Sequence, residues 1–245
     1  MSIKSKILKL ANLSLSLPGL YALATWPKFS YTSFFMVNDL KRQGLSPMTV
    51  IDVGANVGQF AVSCLKAYPD AKLYSFEPNP ACVAELAKNL AGFEKSSIFC
   101  VAVGSEVGEL PFNINEHSHS SSLLPLTAEH LGAYPSAREV DVIKVKVDTL
   151  DNLLSGVPLT SPVLLKVDVQ GFEAQVLAGA AGTLANVDYV LIETSFKQLY
   201  QGELLFMDMV RLMERHGFGF VRPVGWLCDP NTDEVIQMDS LFGRV

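Results

Sequence analysis

Cysteine is scarce in this chain, and its spacing gives no sign of a metal site or a redox pair. The four cysteines stand at positions 64, 82, 100 and 228 of 245 residues, and no two of them form a C-x-x-C pair. This excludes the common zinc motifs and the thioredoxin-type motif. We therefore expect a cytoplasmic protein in a reducing compartment, with Cys64, Cys82 and Cys100 buried as free thiols in regular elements.

Positive charge is also in short supply. The chain has 25 acidic side chains against 19 lysines and arginines, which gives a net charge of −6. This balance argues against a protein that binds nucleic acid through a basic surface. It leaves small or neutral substrates, such as sugars, as the more natural partners, while the oligomeric state stays open.

No apolar run is long enough to cross a bilayer. The first 17 residues carry Lys4, Lys6 and Lys9 among aliphatic side chains, but serines and Asn12 interrupt the apolar pattern. Two interpretations stay open: an amphipathic helix packed on the protein, or a basic helix that makes a peripheral membrane contact through residues 1–17. We predict that residues 1–48 form a helical N-terminal extension of one large domain, residues 49–245.

A glycine turn between two predicted strands is the most informative feature that the chain does have. Residues 50–53 run into Gly54, Asn56 and Gly58, and a second apolar run, residues 73–76, ends at Glu77. Strand, glycine turn, helix, strand and acid form the start of a nucleoside-binding αβα sandwich. A dinucleotide site needs a third glycine, and the carboxylate of Asp52 at the mouth of the turn would repel a pyrophosphate but suits an ammonium group. S-adenosylmethionine has that ammonium group, a ribose diol for Glu77 and no phosphate.

Further strands and helices alternate along the chain, which predicts an α/β fold with a mainly parallel sheet and antiparallel C-terminal strands. Residues 104–147 interrupt the alternation as an insertion. A continuous apolar strand at 97–103, buried on both faces, precedes it. The later predicted elements are strands at 163–169 and 188–193, helices from 173 to about 184 and at 204–216, a strand at 217–221 and a hairpin at 225–237.

Four acids stand at the ends of predicted strands, where ligands bind in an open parallel sheet. They are Asp52, Glu77, Asp168 and Glu193. One such acid is commonly a helix cap or turn residue, but four of them beside a glycine turn indicate a site.

The motifs resemble the FkbM family of S-adenosylmethionine-dependent methyltransferases. They are D-V-G-A-N-V-G, F-E-P-N, S-S-S-L, V-D-T-L-D, K-V-D-V-Q-G-F-E and I-E-T, in that order between residues 49 and 194. The resemblance implies a class I, Rossmann-like fold and methyl transfer to a hydroxyl of a sugar, glycan or polyketide. It implies a methionine-end site of Asp52, Gly54, Asn56 and Gly58, ribose contacts by Glu77, Val103 beside the adenine, and Asp168 on the sulfonium and acceptor side.

The base that takes the acceptor proton is open to several interpretations. Asp168 and Glu193 are candidates by position, and His117 of a polar loop is another. Mg²⁺ is conceivable because related sugar O-methyltransferases use it, but the chain lacks tight ligand spacing, so we predict no metal site. Two other functions stay open: an NAD-dependent oxidoreductase or epimerase, and a non-catalytic cofactor-binding scaffold at a membrane surface.

Overall fold

The structure, a computed structural model, describes residues 17–115, 121–127, 139–229 and 232–245. Several sequence predictions lie outside the described residues. These are the N-terminal segment 1–16, the candidate base His117, and the tip of the terminal hairpin at 230–231.

Seven strands form the central sheet: β1 (Thr49–Val53), β2 (Lys72–Phe76), β3 (Ser96–Phe99), β7 (Val163–Val167), β8 (Tyr189–Ser195), β9 (Phe218–Cys228) and β10 (Val235–Arg244). Their order in the sheet is β3-β2-β1-β7-β8-β10-β9. The first five pair in parallel, and β10 pairs antiparallel with both β8 and β9. This order confirms the expected α/β fold, a class I methyltransferase-like sandwich with antiparallel C-terminal strands.

The insertion forms a second, three-stranded sheet. Its strands are β4 (Ala102–Val103), β5 (Gly108–Asn115) and β6 (Glu139–Asp148), in the order β4-β6-β5. The prediction of one buried strand over residues 97–103 is therefore wrong, because the chain leaves the main sheet after Phe99 and enters the second sheet at Ala102. Cys100 lies in this crossing and is exposed, so its predicted burial is wrong as well, whereas Cys64 and Cys82 are buried.

Helices cover both faces of the main sheet and give it two apolar layers. One layer includes Val53, Leu165 and Ile192, and the other includes Val50, Leu164 and Leu191. The helices are α1 (Leu17–Thr25), α2 (Tyr31–Arg42), α3 (Gln59–Ala67), α4 (Pro80–Leu90), α5 (Leu150–Leu153), α6 (Glu173–Ala178), α7 (Ala181–Leu184) and α8 (Phe206–Arg215).

The helix predicted from residue 173 to about 184 is two short helices, α6 and α7. The break falls at Gly179, where an added Cβ would lie 1.9 Å from the carbonyl oxygen of Gly104. The backbone at Gly179 thus lies too close to the backbone at Gly104 for a side chain to fit between them, and the helix is interrupted at this point. The terminal hairpin is also longer than predicted, because β9 already begins at Phe218 and runs unbroken to Cys228.

Candidate active site

The glycine turn after β1 depends on three residues with positive φ. Gly54, Asn56 and Gly58 have φ angles of 83°, 49° and 92°. Gly54 has no room for a side chain, since an added Cβ would lie 1.8 Å from the carbonyl oxygen of Asp168. Asn56 tolerates the left-handed conformation, and its Oδ1 accepts a 2.8 Å hydrogen bond from the backbone N–H of Val57. The turn therefore brings the backbone of β1 directly against the end of β7.

Glu77 anchors the far side of this turn. Its Oε2 accepts the backbone N–H of Asn56 and its Oε1 accepts that of Asn79, both at 2.9 Å. The side chain is buried, and this burial raises the pKa of Glu77 to about 7, although the two backbone hydrogen bonds lower it. The carboxylate thus faces the glycine turn in one fixed orientation.

Asp52 and Lys166 form a buried ion pair beneath the turn. The two residues are direct neighbours across β1 and β7, and the ammonium Nζ lies 3.4 Å from Asp52 Oδ1 and 3.1 Å from Asp168 Oδ2. Asp52 has no exposed surface. The prediction that its carboxylate lies at the open mouth of the turn is therefore wrong, because Asp52 still belongs to the strand. Lys166 thus contacts both carboxylates and joins Asp52 to Asp168.

The strand register lines up the predicted site residues at one edge of the sheet. Val53 lies opposite Phe76 and Val167, and Val167 lies opposite Ile192. The residues that follow these four positions stand side by side at the carboxyl ends of the strands: Gly54, Glu77, Asp168 and Glu193. The antiparallel strand β10 adds Asp239, which pairs directly with Glu193.

One glutamine amide joins the two candidate catalytic carboxylates. Nε2 of Gln170 donates to Asp168 Oδ1 and to Glu193 Oε2, both at 2.8 Å. Gln237 on β10 donates a second hydrogen bond, of 3.1 Å, to the same oxygen of Glu193. Sequence reasoning missed both glutamines and Asp239. The signal for Gln170 was its place inside K-V-D-V-Q-G-F-E, whereas the other two become visible only from the β8–β10 register.

Burial raises the pKa values of two carboxyl groups at this edge, Glu193 and Asp239. Burial is the main cause that raises the pKa of Glu193 well above its ordinary value, with Asp168 as the strongest charged neighbour in the same direction. Asp239, whose pKa burial raises to about 7, acts likewise, and Lys166 acts against them. Attraction to Asp168 and Asp52 raises the pKa of Lys166, although burial alone would lower it. The Lys166 cation thus lies close to Asp168 and Asp52, beside two carboxyl groups, Glu193 and Asp239, whose pKa values burial raises.

Glu173 stabilises the turn that carries Gln170. Its Oε1 accepts the backbone N–H groups of Val169 and Gly171 at 3.0 and 3.2 Å. These two contacts give Glu173 a structural role in the turn.

Val103 does not line an open surface. It is 3% exposed and packs in the core layer that contains Phe76, with Phe99 against it. The exposed residue at this end of β3 is Cys100, whose Sγ lies 3.9 Å from the carbonyl oxygen of Pro78, next to Glu77. A role of Val103 beside the adenine stays a prediction, and by this geometry it would act from beneath the surface.

Ser122 brings the insertion to the same site. Its Oγ donates a 2.6 Å hydrogen bond to the carbonyl oxygen of Gln170, and it is buried. In the described ranges, no group of three or more histidine, cysteine or acidic side chains is placed to hold a metal ion.

Comparison with known proteins assigns the chain to a family. The profile of the methyltransferase FkbM domain matches residues 52–220. The 2-O-methyltransferase NoeI of Sinorhizobium fredii is 30% identical over 170 residues, which are 67% of this chain and 70% of NoeI. The hexuronic acid methyltransferase AglP of Haloferax volcanii is 28% identical over 142 residues, 58% and 54% of the two chains. The 31-O-demethyl-FK506 methyltransferase FkbM of Streptomyces tacrolimicus is 26% identical over 219 residues, 79% and 82%. The chain belongs to the FkbM family and is an S-adenosylmethionine-dependent methyltransferase.

Proposed function

We propose that this chain transfers the methyl group of S-adenosylmethionine to a hydroxyl of a sugar, glycan or polyketide-type small molecule. The observation that carries the proposal is the pair of carboxylates, Asp168 and Glu193, held together at the sheet edge that also bears the glycine turn. An alcohol must lose its proton as it attacks, and a carboxylate in place can accept it. The names of the relatives, a 2-O-methyltransferase and a hexuronic acid methyltransferase, support a sugar as acceptor.

The residues around the glycine turn fit the cofactor. Each oxygen of Glu77 accepts one backbone N–H and keeps a lone pair for a ribose hydroxyl. Gly54, Asn56 and Gly58 would line the methionine end, with Asp52 acting through Lys166 rather than by contact. When bound, the cofactor supplies a methyl group on a positively charged sulfur.

Glu193 is the proposed base and Asp168 its charged neighbour. The raised pKa of Glu193 makes its carboxylate a stronger base than an ordinary glutamate. Asp168 is paired with Lys166 at 3.1 Å, which favours its ionised form and places a negative charge on the sulfonium side. Positioning of acceptor and donor in line then accounts for much of the rate. His117 is kept as a candidate base that lies outside the described residues.

Replacing Glu77 with alanine should weaken binding of S-adenosylhomocysteine. Loss of a charged hydrogen-bond partner costs about 1.5–3 kcal/mol, or about tenfold to 150-fold in affinity. Isothermal titration calorimetry measures it, with NAD as the competing ligand class. Glu85→Ala is the matched control, because Glu85 lies on the exposed side of α4, where it pairs with Lys88. Equal affinity in wild type and Glu77→Ala would place the nucleoside elsewhere.

The acceptor is tested with methyl-labelled S-adenosylmethionine and three acceptor classes: uronic acids, neutral glycosides and hydroxylated macrolactones. We expect label in a methyl ether, which survives alkaline hydrolysis, whereas a methyl ester would release it. Asp168→Asn and Glu193→Gln should lose transfer while still binding S-adenosylhomocysteine. Alkali-labile label, or full transfer by both variants, would contradict the proposed chemistry.

We also propose that the N-terminal region rests on an anionic membrane surface. Helix α1 has no charged residue and exposes Leu20, Tyr21 and Leu23, by 43, 67 and 53%, while its small residue Ala22 is buried. The preceding sequence carries three lysines and no acid in residues 1–16. No described helix is long and apolar enough to cross a membrane. Exposed apolar side chains next to a basic segment are the combination that binds an anionic interface.

Vesicle flotation tests this membrane contact. The full chain should float with vesicles of phosphatidylcholine and phosphatidylglycerol and stay below with phosphatidylcholine alone. Leu20→Ser combined with Tyr21→Ser and Leu23→Ser should abolish flotation. Val140→Ser with Val142→Ser is the control, because it removes exposed apolar side chains from β6 of the second sheet. Wild-type protein left at the bottom with anionic vesicles would refute the contact.

A further inference from the structure

We infer that Gln170 is a positioning residue that holds Asp168 and Glu193 as one pair and links that pair to residues 121–127 of the insertion. The inference rests on the proposed role of the two carboxylates in methyl transfer. It assigns no contact with the cofactor to Gln170, which acts through the groups that it holds.

The hydrogen bonds of the Gln170 side chain allow one amide orientation. The two N–H bonds of Nε2 point to Asp168 and Glu193, and Oε1 accepts a 2.6 Å hydrogen bond from the hydroxyl of Tyr200. A flipped amide would place its carbonyl oxygen against two carboxylates. The two carboxylates therefore fix which end of the amide faces them, and the hydroxyl of Tyr200 donates to the other end.

The backbone around Gln170 keeps this side chain from turning away. Gln170 and Gly171 have φ angles of 58° and 95°, and Glu173 accepts the backbone N–H groups on either side of Gln170. An added Cβ on Gly171 would lie 2.6 Å from Cβ of Tyr200, so the turn packs directly on that residue. The amide is thus fixed at both of its ends, by the turn and by the tyrosine.

Residues 121–127 are attached to the same turn. The Oγ of Ser122 donates to the carbonyl oxygen of Gln170, and the backbone of Ser122 exchanges two hydrogen bonds with Asn113 on β5. At the other end, Thr127 N donates to the carbonyl oxygen of Leu199 at 2.9 Å, one residue before Tyr200. The segment therefore spans from the second sheet to Tyr200 across the Gln170 turn. An acceptor that displaces this segment would therefore also displace the turn that holds the two carboxylates.

The charges around Glu193 determine how loss of the Gln170 amide should change the pKa of Glu193. Two acids repel when they ionise side by side, and a donor shared by both lowers that cost. The charged and titratable groups that face Glu193 come from the ends of several elements: Asp168, Asp239, Glu173, Lys166 and Tyr200. None of these charged or titratable groups is itself removed when only the amide of Gln170 is replaced.

Gln170→Met is the sharpest variant, because methionine has a similar length and volume but no N–H donor. The backbone carbonyl that binds Ser122 is retained. The carboxyl titration of Glu193 can be followed by ¹³C NMR on glutamate-labelled protein, with the signal assigned from Glu193→Gln. We expect its midpoint to move to higher pH by about 1 unit or more, the equivalent of a hydrogen bond to a charged group.

Gln175→Met is the control for the substitution itself. Gln175 lies on α6 close to the same turn, and its Oε1 makes no hydrogen bond with the part of the chain that the structure describes. Its variant should leave the Glu193 midpoint unchanged. If Gln170→Met fails to fold, Gln170→Gly removes the same donors at a φ angle that suits glycine, and we expect a shift in the same direction.

An unchanged or lower Glu193 midpoint in a folded Gln170 variant would overturn the inference. The titration needs no acceptor, so it is independent of the transfer assay. A shifted midpoint without any methylated acceptor would remove the proposed function and keep the pairing by Gln170. Active transfer with an unshifted midpoint would do the reverse.

Discussion

Replacing Gly54 with alanine should destroy the cofactor side of the site. The new Cβ would lie 1.8 Å from the carbonyl oxygen of Asp168, a backbone atom that cannot move alone. The φ angle of 83° adds a left-handed penalty of about 1–2 kcal/mol for alanine. We expect an unfolding free energy lower by about 3–5 kcal/mol. Displacement of the turn by about 1 Å should reduce affinity for S-adenosylhomocysteine or methyl transfer on the order of 100-fold.

Gly44→Ala separates the clash from the backbone penalty. Gly44 has nearly the same φ angle, 87°, but an added Cβ there meets no atom of the described residues within 4 Å. This variant should cost only about 1–2 kcal/mol and leave ligand affinity unchanged. Urea unfolding and calorimetry measure both quantities. Equal losses in the two variants would mean that the approach of β1 to Asp168 is not needed for binding.

Much of the fold follows from local patterns in the sequence. The runs that became β1, β7 and β8 are mostly apolar and short, as expected for strands buried on both faces. Gly54 follows β1, Asp168 follows β7, and Glu193 lies two residues before the end of β8. Because parallel strands end at one edge of the sheet, the sequence alone predicts that the acids near their ends share one site.

The predictions of secondary structure are wrong where a contact with a distant part of the chain determines the local conformation. Residues 97–103 look like one strand because both halves are apolar, yet they belong to two sheets. The break between α6 and α7 depends on Gly104, which lies 75 positions earlier in the chain than Gly179 and approaches it within the reach of a Cβ. No periodicity in a local window records such an approach.

The sequence predicts the acidic residues of the site but not the glutamines that bind them. Asp168 and Glu193 stand at strand ends, but the Gln170–Tyr200 hydrogen bond joins positions 30 residues apart. Asp239 and Gln237 reach the site only because β10 inserts between β8 and β9, an order that a hairpin pattern does not reveal. The sequence shows which acids lie near the ends of strands. Which residues pair with those acids depends on the order of the strands in the sheet.

Lys166→Met should be the most destabilising charge substitution in the described part of the chain. The side chains of Lys166 and Asp52 are 8% and 0% exposed, so the variant leaves a buried carboxylate without its cation. Breaking a buried pair in this way costs about 3–5 kcal/mol. Lys88→Met, which breaks the exposed pair with Glu85, should have a much smaller effect in the same urea unfolding experiment.

The same substitution should change the pH dependence of stability, and Asp52→Asn should reverse part of the loss. Burial already raises the pKa of Asp52, and removal of Lys166 raises it further. An acid with a raised folded pKa destabilises the fold above that pKa, so the deficit of Lys166→Met should shrink as pH falls and Asp52 takes up a proton. The double variant, which has no buried charge at these two positions, should be more stable at neutral pH than Lys166→Met alone. If it is not, the cost of Lys166→Met comes from the lost contacts of the ammonium with Asp168 and with the ring of Phe60, whose centroid lies 5.5 Å away, and not from an unpaired Asp52.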